Sequence, residues 1–161
     1  MKKGLFIGRF QPFHNGHLAA VRQALKEVDE LIIGIGSSQF SNEKENPFSY
    51  EERKKMISSV LKKYPYKVYP IPDTDDDERW IRNIQQILPK FDIVYSGNPI
   101  TISLFNKNKI SVHNIKLMKG ISSSKIRELI KKRKPWKHLT PREVVIFLKK
   151  NYGIERIKRL N

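Results

Sequence analysis

The chain has 161 residues, 39% hydrophobic and 30% charged, enough for one α/β domain whose sheet is covered on both faces. It contains no cysteine, which excludes disulfides, thiolate nucleophiles and cysteine-held zinc or iron–sulfur centres. Its 32 Lys and Arg outnumber 16 Asp and Glu, a net charge of +16. A surface for polyphosphate or nucleic acid would use that excess, and solvated lysine-rich faces would carry it with no ligand at all. The longest apolar run, residues 31–35, is far too short to span a bilayer. Met1-Lys2-Lys3-Gly4 leads into a strand pattern without an export signal, so a cytoplasmic protein is expected.

In chain order, residues 5–10 read as a first strand and residues 16–28 as a helix, with Leu18, Val21, Leu25 and Val28 at helical spacing. Residues 30–35 form an almost unbroken apolar run, as central parallel strands do. Ser49-Tyr50-Glu51-Glu52 is a capping box for a helix running to about residue 63. Residues 66–71 make a third strand, and Pro65, Pro70 and Pro72 place it at an edge. An acidic loop, 73–78, precedes a helix over 79–88 with Trp80, Ile84 and Ile87 or Leu88 on its apolar face. Then come a strand at 91–95, a short helix at 99–106, a strand at 110–115, and helices at 123–132 and 141–152. Such alternation means a parallel sheet with right-handed crossovers, in a single domain over residues 1–161. A ligand then binds outside the carboxyl ends of the strands.

Residues 8–17, Gly-Arg-Phe-Gln-Pro-Phe-His-Asn-Gly-His, lie between the first strand and the first helix. Two imidazoles at a helix mouth can donate to phosphate oxygens, the glycine allows close backbone approach, and free N–H groups and the helix dipole favour an anion. Arg9 adds a planar fork suited to bidentate phosphate binding, or to a surface ion pair. Ser122, Ser123 and Ser124 gather hydroxyls at a later helix start with Arg127 one turn in, a second anion cradle unless the serines serve only as caps. Ser96-Gly97-Asn98-Pro99 is a turn by composition. The acidic loop lacks the glycine that usually shapes a metal cage, and no protein metal site is expected.

The decapeptide resembles the His-x-Gly-His nucleotidyltransferase superfamily, and within it the archaeal type of nicotinamide mononucleotide (NMN) adenylyltransferase. The resemblance continues through Gly36-Ser37-Ser38-Gln39, Asn46-Pro47-Phe48, Tyr95-Ser96-Gly97-Asn98-Pro99 and Ile121-Ser122-Ser123-Ser124-Lys125-Ile126-Arg127. It implies a Rossmann-like three-layer fold with strand order 3-2-1-4-5 and adenylyl transfer from ATP to NMN, giving NAD and pyrophosphate. It further implies catalytic roles for His14, His17, Arg9 and Arg127. ATP would be bound by Gly8, Arg9, Phe10, His14, Gly16, His17, Ser96, Gly97, Asn98, Ser122, Ser123, Ser124 and Arg127, and NMN by Phe13, Gly36, Ser37, Gln39, Asp73, Thr74 and Trp80, the indole stacking on the pyridinium ring. Ser124 stands where the family usually has threonine, which keeps the hydroxyl.

Magnesium or a similar divalent cation is expected to arrive with ATP, held by phosphates and water, and the family's habit of closed multimers implies a homo-oligomer. Relatives that act on phosphopantetheine, FMN or a polyol phosphate usually carry Gly-Thr-Phe-Asp before the tetrad, unlike the Gly8-Arg9-Phe10-Gln11 found here. A basic nucleic-acid binding module is the reading outside enzymes. It leaves the paired anion cradles unexplained, so nucleic acid is not expected as the partner.

Overall fold

The computed structural model describes residues 1–160. Five parallel strands, β1 (Lys3–Gly8), β2 (Glu30–Ile35), β3 (Tyr66–Pro70), β4 (Ile93–Ser96) and β5 (Val112–Asn114), pair in the order β3-β2-β1-β4-β5. The order expected from the resemblance is therefore observed, and the proline-rich third strand is an edge. Among the described residues the helices are α1 (Asn15–Ala24), α2 (Tyr50–Val60), α3 (Asp77–Ile87), α4 (Pro99–Lys107), α5 (Ser123–Lys131), α6 (Arg142–Lys150) and α7 (Gly153–Arg159). None of them is long and apolar enough to cross a membrane.

Alternation along each strand builds two cores. Phe6, Leu31, Ile33, Ile35 and Tyr95 face one side with α1, α2, α5, α6 and α7, while Leu5, Ile32 and Val94 face α3 and α4. Both faces are buried, which is why β2 reads as a continuous apolar run.

Several boundaries differ from the sequence expectations for identifiable reasons. β1 pairs from Lys3↔Glu30 to Gly8↔Ile35 and then stops, because Phe10 turns into the left-handed region at φ 53°. Helix α3 starts at Asp77, since Asp76 caps it by accepting from the Glu78 and Arg79 backbone N–H groups. Its buried stripe is Ile81, Ile84 and Leu88, whereas Ile87 is exposed. The expected last helix ends early: Asn151 closes α6, Tyr152 adopts φ 55°, and α7 follows.

Candidate active site

Helix α1 opens on a reciprocal cap built from two imidazoles. His14 Nδ1 accepts from the Gly16 N–H at 3.1 Å and the His17 N–H at 3.3 Å, and His17 Nδ1 accepts from the His14 N–H at 3.1 Å. With both δ nitrogens acting as acceptors, each neutral ring must carry its proton on Nε2. Two Nε2–H donors thus remain without a protein partner among the described residues. Burial holds both rings in this neutral form: it lowers the His14 pKa from 6.5 to about 4 and, with His14 adjacent, pushes His17 well down.

The tetrad's glycine has a steric task. A Cβ at Gly16 would lie 2.9 Å from His14 Cε1, so the missing side chain makes room for the capping ring. The rings stack at 3.6 Å over an aromatic floor in which Phe10 meets His17 edge-on at 4.7 Å and Phe13 lies at 5.3 Å. Phe10 and Phe13, expected to touch ATP and NMN, have rings sealed in the core at 1% and 0% exposure. Their rings pack against that of His17.

The second helix start divides its labour over three adjacent hydroxyls. Ser122 Oγ accepts from the Lys125 N–H and caps α5, while Ser123 Oγ donates to the Pro12 carbonyl at 2.9 Å, tethering α5 to the decapeptide. Ser124 is exposed and shares a recess of about 200 Å³ with Lys44, Glu45 and Arg127. Arg127 is buried, donating to the Gln11 carbonyl at 2.9 Å and to Glu45 Oε2 at 2.8 Å. Arg9, at the end of β1, is exposed and forms no ion pair among the described residues.

A third group forms where β2 and β3 end. Ser37 Oγ donates to Asp73 at 2.6 Å, and the Gln39 amide exchanges two hydrogen bonds with the Asp73 backbone. Thr74 turns its hydroxyl to the Asp76 carbonyl. Trp80 is half-buried, edge-on to Phe105 at 6.0 Å, leaving part of the indole exposed. After β4, Ser96 Oγ accepts from the Asn98 N–H, and the Asn98 side-chain oxygen caps α4. Gly97 does not face open space, because a Cβ there would meet Leu117 at 2.5 Å and the Ile115 carbonyl at 2.9 Å. Its smallness lets the chain leaving β5 pass close by.

Two further residues hold this architecture together, Gln11 inside the decapeptide and Arg53 outside every motif. Gln11, 1% exposed, locks the Phe48 backbone by donating to its carbonyl and accepting from its N–H. Arg53, fully buried, donates Nε to the Ser49 carbonyl, Nη1 to those of Arg9 and Gly36, and Nη2 to that of Ser37. Within Glu51-Glu52-Arg53-Lys54-Lys55 it looks like one more charge on a solvated face. The only available signal is its place one turn beyond the Ser49 cap, ahead of the buried Met56 and Ile57. A hollow of about 300 Å³ near Lys90, Phe91 and Ile110 lies at the entrance to β4 and β5, away from all these groups.

A cytidylyltransferase-like family model matches residues 5–129. Over 99% of this chain, the nicotinamide-nucleotide adenylyltransferases of Methanococcus aeolicus and Thermoplasma acidophilum are 45% and 41% identical, across 95% and 92% of their own lengths. The chain belongs to the nicotinamide-nucleotide adenylyltransferase family. The Pyrococcus furiosus adenylyltransferase, 38% identical over 99% of this chain and 89% of its own, is a further relative. The fold also matches a bifunctional NMN adenylyltransferase/ADP ribose pyrophosphatase from Francisella tularensis, with a TM-score of 0.87 at 24% identity over 99% of this chain. The chain spans about half of that larger protein (52%). The same Francisella enzyme in complex with AMP and a manganese ion superposes with a TM-score of 0.84.

Proposed function

We infer that this adenylyltransferase joins ATP to nicotinamide mononucleotide, forming NAD and pyrophosphate. The observation that carries this inference is the full-length likeness to enzymes bearing that name, at up to 45% identity. The paired-imidazole cap beside Arg9 and the α5 start supports it. In the reaction a phosphate oxygen of NMN attacks the α-phosphorus of ATP in line, and the bond to pyrophosphate breaks. The attacking phosphate is already ionised near neutral pH, so positioning and charge compensation suffice, with no general base or covalent nucleophile.

In this reading His14 and His17 donate their Nε2–H groups to the ATP phosphates as neutral imidazoles, His17 nearest the developing charge. Cationic compensation then falls to Arg9 and Arg127, with Ser122, Ser123 and Ser124 along the triphosphate. Ser96, Gly97 and Asn98 border the adenosine side. The linked group Gly36, Ser37, Gln39 and Asp73, together with Thr74 and Trp80, receives the nicotinamide nucleotide, and the enzyme works as a cytoplasmic homo-oligomer. A divalent cation, magnesium in this reading, would come as a rider on the triphosphate. There it would neutralise phosphate charge.

The test is incubation with ATP, magnesium and a panel of acceptors (NMN, phosphopantetheine, FMN and glycerol phosphate), following pyrophosphate release. NMN is expected to be the best acceptor, and equal or faster turnover with another would overturn the assignment.

A further inference from the structure

The buried Arg53 guanidinium ties the turn after β1 to the turn after β2. We propose that Arg53 is a positioning residue that sets the separation between the ATP-phosphate subsite and the nicotinamide-nucleotide subsite; this rests on the function inferred above. The two turns already touch through the Gly36 N–H, which donates to the Gly8 carbonyl at 2.9 Å. Beyond that bond the strands diverge, and the next carbonyls, of Arg9, Gly36 and Ser37, all converge on the one guanidinium. Three carbonyl dipoles aimed at one point repel unless a cation sits between them.

The hydrogen bonds of Arg53 all go to backbone carbonyls, and the charges of Asp73 and Glu52 attract it from further away. Arg53 has no carboxylate within salt-bridge distance among the described residues, an arrangement that is costly for a buried charge unless its donors are satisfied. Four of its five N–H groups have carbonyl partners in the hydrogen bonds described above. Burial, with the neighbouring charge of Arg9, lowers its pKa to about 10, so it stays protonated near neutral pH.

The fork also fixes backbone that would otherwise be free to relax. Ser37 is a non-glycine residue at φ 47°, a conformation that must be imposed by its surroundings. Its carbonyl is held by Arg53 and its hydroxyl by Asp73. One side of the fork thus reaches the acceptor group, and the other reaches Arg9 at the foot of the histidine turn. In-line attack needs the reacting oxygen and phosphorus about 3 to 3.5 Å apart, and a misplacement of about 1 Å costs around 100-fold in rate. A lysine at 53 would keep the charge but lose the planar fork, since a single ammonium cannot reach all three carbonyls in fixed geometry.

Arg53→Lys should therefore lower kcat by about 100-fold, while the separate dissociation constants for ATP and for NMN change by less than about threefold. NAD spans both subsites, so its binding should weaken more than that of either substrate. Unchanged kcat in folded Arg53→Lys would overturn the proposal. So would substrate affinities that fall together with kcat, in step with a lowered Tm, because that is simple structural damage. If the lysine variant does not fold, Arg53→Ala supplemented with methylguanidinium replaces it. Methylguanidinium should restore kcat where methylammonium does not, and equal rescue by both, or by neither, rejects the fork. Failure of wild-type protein to make NAD from ATP and NMN would instead reject the underlying function, so the two failures are separable.

Discussion

The starts of α1 and α5 solve the same problem in opposite ways. At α1 the groups proposed to meet phosphate are also the structural cap: His14 and His17 satisfy the first backbone N–H groups through Nδ1, and the same rings keep Nε2–H unpaired with protein among the described residues. At α5 the duties are separated, Ser122 capping, Ser123 tethering and Ser124 exposed beside the buried Arg127. Fusing two tasks in one ring gives rigidity, since the imidazoles sit on an aromatic floor, and makes the α1 start vulnerable to any substitution. Dividing them lets the α5 start be altered one function at a time.

The largest expected effect follows from that fusion. His17→Ala should lower kcat several hundred-fold, equivalent to about 3 to 4 kcal/mol of transition-state stabilisation, and should also lower Tm because the reciprocal cap is broken. Steady-state kinetics beside thermal unfolding would show both losses, and a folded variant with intact kcat would reduce the tetrad to scaffolding.

Acid should expose the same coupling without mutation. His14 titrates at about 4 when folded against 6.5 in its ordinary state, so the unfolded chain binds the proton first. Its contribution to stability is fully present above pH 6.5 and is lost between pH 6.5 and pH 4, to the extent of about 3 kcal/mol for His14 alone. Urea unfolding at stepped pH measures this loss, and His14→Asn, which keeps a capping oxygen, should flatten that part of the profile.

The smallest effects belong to α5. Ser122→Ala should cost about 1 kcal/mol of stability through the lost cap. Ser124→Ala should leave Tm unchanged and raise the KM for ATP by a few-fold, as expected for one hydrogen bond worth about 1 kcal/mol. Interchanged outcomes, with Ser124 mattering to Tm and Ser122 only to KM, would abolish the contrast between the two helix starts.

What the amino-acid order reveals depends on whether a residue's role is local. The Ser49–Glu52 capping box is local and appears as expected, with both reciprocal hydrogen bonds present. The histidine tetrad is local too, although the reason for its glycine emerged only when the His14 ring was seen folded over it. Arg53 has no local mark, since three of its four carbonyl partners come from other elements and a buried arginine is spelled like a solvated one, whereas Gln11 stands inside the decapeptide and only its partner Phe48 lies out of sequence range. Helix α7 does not show in the sequence, where the last helix is expected over 141–152, because its two apolar anchors, Ile154 and Ile157, span too short a stretch for periodicity to register. The burial of Phe10 and Phe13 is not legible either: a motif names residues that travel together without separating those that face outward from those that hold them up.

The tethers of the decapeptide also have a consequence in time. Ser123 reaches Pro12 across 111 residues, Arg127 reaches Gln11 across 116, and Asn15 donates to the His138 carbonyl across 123. Bonds between such distant residues close large loops and form late in folding. During synthesis the histidine turn emerges more than 100 residues ahead of these supports. A nascent chain halted before Ser123 would carry both histidines without those tethers, so the histidine turn gains its fixed setting only once α5 has arrived.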